Sequence, residues 1–202
     1  MSRVARPEDA AEMRRRLLRG AYFAIAEHGF GAVTLQDIAE QAGVSKALAL
    51  YYFKNKERLL VAVMERTGDV IRARAEQAIR ERASAGPRAQ MEAYLGALTI
   101  GPQEHRAFYR VYLDFLAAGL RNAEIRRSTL TFIIGCAALE REVVTSGMAT
   151  GLFRGDLDPT EAASVVRALI DGLSIEWLFG DAEPFEQFRR RLHDAVFGYL
   201  LA

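Results

Sequence analysis

The residues whose types and spacing define the clearest chemistry lie between Thr34 and Leu60. Thr34 is placed to cap a short helix, and Gly43 supplies the left-handed residue that ends it. Ser45 caps a second short helix, which opens on Lys46. Two helices joined by so tight a turn can brace one helix across DNA phosphates and lay the other in the major groove. The pattern therefore predicts a helix-turn-helix that reads double-stranded DNA.

The distribution of charge supports a separate role for this part of the chain. All three lysines, Lys46, Lys54 and Lys56, fall within it, and every other basic residue is an arginine. Positions 1 to 60 hold ten basic and seven acidic residues, whereas the remainder holds 17 and 19. A compact ammonium suits a phosphate contact, so the lysines point to DNA.

Nine residues are predicted to contact DNA. Lys46 can donate to guanine or to a phosphate, and Ala47 and Leu48 can meet a thymine methyl group. Gln36, near the start of the bracing helix, can reach a base or a phosphate. The remaining five are predicted to contact phosphates: Thr34, Ser45, Tyr51, Tyr52 and Lys56. Lys56 lies at a helix N-terminus, where the backbone N–H groups also favour an anion.

Other interpretations stay open around this set. Tyr52 and Phe53 can instead close the core of the three small helices, whereas Tyr51 is favoured as a DNA contact. The run Arg14-Arg15-Arg16 can supply backbone contacts, as can Arg3 and Arg6, but acidic neighbours make a solvated face an equal alternative for the run.

Helical periodicity continues along the whole chain and predicts an all-α fold. We expect an N-terminal three-helix helix-turn-helix domain over residues 1–55 and a larger helical bundle over 56–202. Glycine and proline residues mark most of the boundaries. About nine helices are predicted, at 7–28, 35–42, 46–52, 56–83, 88–100, 104–121, 125–149, 159–179 and 184–201.

Enzymatic chemistry is not indicated. His28, His105 and His193 are scattered, and there is no Cys/His spacing for a metal, no phosphate-binding glycine loop and no nucleophile motif. We therefore predict no catalytic residues, no metal and no cofactor. The lone Cys136 has no basic sequence neighbour to lower its pKa, which favours a buried structural thiol over a redox sensor.

Composition and hydropathy predict a cytoplasmic protein. The chain has 202 residues, of which 50% are hydrophobic and 26% charged, an ordinary balance for a globular protein. No apolar run approaches the roughly 18 to 20 residues of a membrane span, and the charged N-terminus does not read as a secretory signal.

The string AYFAIAEHGFGAVTLQDIAEQAGVSKALALYYFKNKERLL resembles the N-terminal domain of the TetR family of bacterial transcriptional regulators. The segment GLFRGDLDPTEAASVVRALIDGLSIEWLFG is similar to the ligand-binding region of the family's betaine-regulator-like branch. One departure is Ala49-Leu50, where many members have Leu-Tyr, so a common phosphate-contacting tyrosine is absent and Tyr51 is expected to replace it.

The resemblance implies a homodimer that binds a near-palindromic operator as a repressor and is released by a small-molecule effector. Linkage would then make operator and effector weaken each other's binding by the same factor. The alternative is an effector-independent regulator or activator with a solid helical C-terminal domain.

An effector cavity between helices is also implied by the resemblance. Glu140 interrupts an apolar stripe and would favour a cationic or hydroxylated effector, with an ion-paired carboxylate as the alternative. An individual aromatic residue of these C-terminal helices more often packs in the core than contacts a ligand. The predicted effector-binding residues are Tyr109, Arg110, Tyr112, Cys136, Glu140 and Trp177.

Dimerisation is predicted to use the last two helices, because their apolar residues cover wide arcs. Gly172 lies within one of them, which fits a close crossing by another backbone. Arg167 and Asp171 are spaced to pair. The predicted interface consists of Val166, Arg167, Ile170, Leu173, Trp177, Phe188, Leu192 and Tyr199.

Overall fold

A computed structural model describes residues 7–180 and 183–201, with side chains from residue 10 onward. Within these ranges the chain forms nine α-helices, one short 3-10 helix at Ala83–Ala85 and no strand, so the all-α prediction is confirmed. The helices are α1 (Pro7–His28), α2 (Leu35–Ala42), α3 (Lys46–Phe53), α4 (Lys56–Glu81), α5 (Pro87–Leu98), α6 (Pro102–Gly119), α7 (Ala123–Ala149), α8 (Pro159–Phe179) and α9 (Phe185–Leu200).

The two short helices α2 and α3 are set by local capping. The Thr34 hydroxyl accepts from the backbone N–H of Asp37 at 3.2 Å, and the Asp37 carboxylate accepts from the Thr34 N–H at 2.7 Å. This reciprocal arrangement satisfies two donors that a helix start leaves free. Gly43 ends α2 with φ +64°, and Ser45 accepts from the Leu48 N–H at 3.2 Å to begin α3.

The chain divides into two compact units, and the first contains the described residues up to Thr67 together with Arg110–Thr129. Its core holds Leu17 and Ile25 of α1 and Ile38 of α2, all essentially inaccessible to solvent. A β-carbon on Gly20 would lie 2.8 Å from the Ala42 backbone nitrogen. This close crossing of α1 and α2 requires glycine.

Part of α6 belongs to the first unit and holds the loop after α1. The Asp114 carboxylate accepts from the Phe30 N–H at 2.6 Å, and the Phe30 ring meets the Phe115 ring edge-on at 5.5 Å. The helix-turn-helix is therefore braced by a segment that is distant in sequence. The domain boundary between residues 55 and 56 stays a prediction.

The second unit comprises Gly68–Tyr109 and the residues from Leu130 onward. Phe153, in the turn between α7 and α8, is buried so closely over Gly147 that a β-carbon there would lie 2.0 Å from its ring. The next residue, Arg154, donates its N–H to the Leu200 carbonyl at 2.9 Å. The turn and the end of α9 are thus tied into one core.

Candidate nucleic-acid interface and buried polar cluster

Helix α3 divides sharply into a buried and an exposed face. Ala49 and Phe53 are only 0% and 5% exposed and pack into the first unit, whereas Leu50 is 40% and Tyr51 80% exposed. The exposed face follows helical spacing and carries two ammonium groups around an apolar centre. It consists of Lys46, Ala47, Leu50, Tyr51 and Lys54.

Three of the predicted polar contacts already have intramolecular partners. The Thr34 hydroxyl donates to the Asp37 carboxylate at 2.9 Å, and the Gln36 amide donates to the Glu40 carboxylate at 2.7 Å. Ser45 accepts the capping bond but keeps its hydroxyl proton for a further acceptor. The hydrogen bonds from Thr34 lower the pKa of Asp37, so the capping carboxylate stays ionised at neutral pH.

Lys56 has a structural contact in addition to its charge. It is half-buried, and its ammonium donates to the Gly31 carbonyl at 3.4 Å and lies 5.9 Å from the centre of the Phe30 ring. Two other predicted DNA contacts, Leu48 and Tyr52, are likewise half-buried and so present only part of their side chains to solvent. Lys56 therefore supports the loop between α1 and α2 as well as facing solvent.

The arginine run of α1 has a partner for each side chain. The Arg14 guanidinium lies over the Phe53 ring at 5.4 Å, and Arg15 pairs with the exposed carboxylate of Glu12. Arg16 donates to the Ala42 carbonyl at 3.0 Å and so supports the C-terminal end of α2. The predicted contacts of Arg3 and Arg6 lie outside the described residues.

Sequence reasoning missed Leu50 and Lys54 as members of the exposed face. Lys54 follows α3 with φ +57°, and its N–H donates to the Leu50 carbonyl at 2.8 Å. The sequence carried a signal for Leu50, because positions 46, 47, 50 and 51 share one side of a helix. Helical spacing gave no such signal for Lys54, because its positive φ takes it out of α3.

A buried polar cluster lies in the second unit. Glu140 is fully buried, the Tyr94 hydroxyl donates to it at 2.7 Å, and the Arg167 guanidinium donates to the same carboxylate oxygen and to the Tyr94 hydroxyl. The sequence allowed Glu140 to be either an effector contact or an ion-paired carboxylate, and in the structure it is paired with Arg167. Burial raises the pKa of Glu140 to about 7, although the Arg167 charge acts to lower it.

The cluster continues along α8 to α6. The Arg167 guanidinium lies 3.8 Å from the Asp171 carboxylate, which accepts from the Tyr109 hydroxyl at 2.9 Å. Burial also raises the pKa of the neighbouring Cys136 thiol to about 11, so this side chain stays protonated at neutral pH. The low thiolate content agrees with a structural role for the cysteine.

His105 lies beside this cluster within a group of aromatic rings. The centres of the Tyr109, Trp177, Phe185 and Phe188 rings are 4.8 to 5.6 Å from the His105 ring. Its Nδ1 lies 3.4 Å from the Leu98 carbonyl, which requires the proton on Nδ1 for a hydrogen bond. Burial among apolar rings lowers the pKa of His105 to about 4, so the imidazole is neutral.

The structure brings together four of the six predicted effector residues. Tyr109, Cys136, Glu140 and Trp177 are all buried in the second unit. Arg110 and Tyr112 belong to the first unit, where Arg110 is exposed and Tyr112 buried. The indole N–H of Trp177 donates to the Glu183 carbonyl at 3.0 Å, so this residue also fixes the entry to α9.

The predicted dimer contacts need a correction in their choice of residues. Five of the eight are at most 2% exposed within the single chain, because they form the core of the second unit: Val166, Ile170, Trp177, Phe188 and Leu192. Arg167 is held by Glu140, whereas Leu173 and Tyr199 are half-buried. The surface that α8 leaves exposed consists of Val165, Ala168, Gly172 and Phe179, among others.

The described helices contain none that is long and apolar enough to cross a membrane. Within the same part of the chain, no three acidic, histidine or cysteine side chains come together as metal ligands.

The capped helix pair, its exposed basic and apolar face and the all-helical remainder define a helix-turn-helix transcriptional regulator. Residues 17–63 match the family model described as bacterial regulatory proteins, tetR family. Residues 87–200 match the model described as BetI-type transcriptional repressor, C-terminal. The chain belongs to the TetR family of DNA-binding transcriptional regulators.

Individual relatives agree with this assignment. The chain is 32% identical over 162 residues to the HTH-type transcriptional regulator BetI of Rhizobium meliloti (strain 1021), covering 80% of this chain and 76% of that protein. A second BetI, from Stenotrophomonas maltophilia (strain R551-3), is 34% identical over 56% of this chain and 58% of its own length. These relatives are transcriptional regulators and not enzymes.

One solved structure is close in fold over nearly the whole chain. A crystal structure described as a putative transcriptional regulator from Saccharomonospora viridis in complex with choline superposes with a TM-score of 0.84. It is 26% identical and covers 95% of this chain and 99% of that one.

Proposed function

We propose that this regulator is a ligand-responsive repressor that binds a palindromic operator as a homodimer. The observation that carries the proposal is the exposed face of α3, which combines basic ends with an apolar centre on a rigidly capped helix pair. Such a helix fits the major groove, and its ammonium groups complement the phosphates on either side. A regulator of chromosomal DNA acts in the cytoplasm, which is the compartment we propose.

The dimer is proposed to form through α8 and α9, on the surface that each chain leaves uncovered. Phe179 is 74% and Val165 37% exposed, and among the described residues nothing beyond the adjacent residues and the backbone of α8 lies within 4 Å of the position that a β-carbon on Gly172 would occupy. A partner helix could approach closely at that glycine. Two-fold symmetry would then place the α3 helices in successive major grooves about 34 to 36 Å apart.

An effector is proposed to act on the second unit through the buried polar cluster. The supporting observation is a connected set of carboxylate, guanidinium and hydroxyl groups inside an apolar bundle, where a ligand can exchange one partner for another. Choline is the first candidate, because it is bound to the Saccharomonospora viridis regulator.

A second candidate function has its own supporting observation. Glu140 and Arg167 already bind each other and Tyr94, which suits a solid bundle that needs no ligand. The protein would then be an effector-independent regulator or activator.

Operator binding is tested first, by fluorescence anisotropy with DNA from upstream of the gene and a scrambled duplex at several salt concentrations. We expect the upstream duplex to be preferred and Lys46→Ala to reduce that preference. Lys54→Gln should weaken both duplexes alike and reduce the salt slope by about 0.9 per protomer. Lys54 is preferred to Lys56 for this test, because Lys56 also donates to the Gly31 carbonyl and its substitution would disturb the loop between α1 and α2.

The matched control is Arg82→Gln, which removes a charge from an exposed position just after α4 that belongs to neither α3 nor the proposed dimer surface. It should bind both duplexes as the wild type does. Equal affinity of the wild type for upstream and scrambled DNA would contradict an operator in that region, and selection from a random pool would then decide whether any sequence is preferred.

Effector response is tested with choline chloride against sodium chloride at equal ionic strength. A ligand that binds only the native protein stabilises it by about 2.7 kcal/mol at 100 times its Kd, so we expect a higher melting temperature. Operator affinity should fall in the same titration. If choline raised the melting temperature without lowering operator affinity, that result would argue against release of the repressor from DNA by choline. If choline changed neither quantity, it would be excluded as the effector.

A further inference from the structure

The groove-facing part of α3 offers few hydrogen-bonding groups. Residues near the start of a recognition helix are those that reach base edges. On the exposed face these are Lys46, Ala47 and Leu50, of which only Lys46 can donate a hydrogen bond. The adjacent Tyr51 also carries a hydroxyl and is expected to contact a phosphate. A single exposed leucine is ordinary on a protein surface, but Leu50 is 40% exposed on the helix that would enter the groove.

The polar side chains near this face make hydrogen bonds at the cap of α2, along α2 and at the cap of α3. The Thr34 hydroxyl donates to Asp37, and the Gln36 amide donates to Glu40. Ser45 accepts the N-cap bond of α3 through its hydroxyl oxygen, which holds the hydroxyl at the helix start and leaves its proton to donate to a phosphate. Using the Thr34 hydroxyl proton to read a base would therefore require breaking its bond to Asp37, whereas Gln36 keeps one amide proton and its amide oxygen in addition to the bond to Glu40.

Apolar side chains have one specific counterpart in the major groove. The thymine C5-methyl is the apolar group on the base-pair edges, whereas the other distinguishing groups are hydrogen-bond donors and acceptors. Ala47 and Leu50 lie on the same side of α3, three residues apart, with Lys46 at the start of the helix and Lys54 just after its end, where it can meet a phosphate. The face thus matches a methyl-bearing groove flanked by negative charge.

We infer that the protein discriminates its operator chiefly by packing Ala47 and Leu50 against thymine methyl groups, with Lys46 as the base-directed donor. The inference rests on the proposed DNA-binding function and specifies what that surface reads. A regulator that reads mainly guanine edges through Lys46 is the competing outcome.

The test uses the full-length protein and a duplex selected from a random pool for tight binding. Each thymine of a half-site is replaced singly by deoxyuridine, which removes the methyl and leaves base pairing intact. Burial of one methyl-sized group corresponds to about fourfold in affinity. We expect at least one thymine per half-site whose replacement weakens binding by this factor. Replacing that thymine in both half-sites should weaken binding by about 15-fold.

The variant Leu50→Ala assigns the effect to its side chain. It should bind the thymine duplex more weakly, and at one thymine position it should lose the preference for thymine over deoxyuridine. The matched control is Leu120→Ala, the same substitution at a site that is 80% exposed outside α3. That variant should keep the full fourfold preference.

Two results would overturn the inference while leaving operator binding intact. One is a selected duplex whose affinity is unchanged by every deoxyuridine replacement. The other is a thymine preference that persists in both Leu50→Ala and Ala47→Gly, which would assign it to DNA shape. Failure to select any preferred sequence would instead reject the proposed function, and the inference with it.

Discussion

Replacing Arg167 with methionine should lower the free energy of unfolding by about 3 to 5 kcal/mol at pH 8, because it strands a buried carboxylate. Glu140 is fully buried and its charged partner is the Arg167 guanidinium, whose side chain is 12% exposed. Urea unfolding followed by circular dichroism gives the measurement. A loss below 1 kcal/mol would contradict the role assigned to the pair.

This loss should shrink as the pH falls. Burial already raises the pKa of Glu140 to about 7, from 4.5 in the unfolded chain, and removal of Arg167 raises it further. The folded variant therefore holds its proton more tightly than the unfolded chain. That contribution is fully present below pH 4.5 and is lost as the pH rises through the folded pKa, so the variant should be closer to wild type at pH 5 than at pH 8.

Two further variants separate charge from packing. Arg167→Met combined with Glu140→Leu should recover most of the lost stability, because no unpaired charge remains. Arg80→Met removes one of the two exposed partners of Glu76 and should change the stability by at most about 0.5 kcal/mol. Failure of the double variant to recover would point to packing by the arginine stem.

Replacing His105 with leucine should remove an acid sensitivity on the order of 3 kcal/mol. Burial lowers the pKa of His105 from 6.5 to about 4, so the folded protein favours the neutral ring. This contribution to stability is fully present above pH 6.5 and is lost as the pH falls through about 4. The nearest groups are aromatic rings, and the Arg106 charge also opposes protonation.

The measurement is the difference in unfolding free energy between wild type and His105→Leu at several values between pH 4 and pH 8. Glu140 contributes an opposite slope between about pH 4.5 and 7, which can mask the effect in the wild-type curve alone. The difference should be constant above pH 6.5 and move in favour of the variant below it. A constant difference over the whole range would show that His105 protonates freely.

The helices were predictable because their ends are defined locally. The Thr34 cap and the Gly43 turn need only a few consecutive residues, and α2 begins and ends where the sequence indicated. Pro159 after Asp158 marks α8 in the same way, and the Asp158 carboxylate accepts from the first-turn N–H groups at 2.9 Å. Capping of this kind is encoded within one turn of helix.

Long-range partners were not predictable from the same patterns. A wide apolar arc shows that a helix is buried on several sides, but not whether its own chain or a partner covers it. The sequence pattern therefore placed Val166 and Phe188 in the predicted dimer interface, although helices of the same chain bury both residues. The i,i+4 spacing did predict the approach of Arg167 and Asp171, whereas Glu140 lies 27 positions from Arg167 and gave no local signal.

Trp177 gives the second unit an optical signal that the first unit lacks. It is the only tryptophan in the sequence, it is 2% exposed, and its ring stacks on Phe188 with centres 5.4 Å apart. Its emission reports on the core that contains His105, whereas helical circular dichroism reports on both units. Comparing the two unfolding curves would reveal whether the DNA-reading helices melt with that core or apart from it.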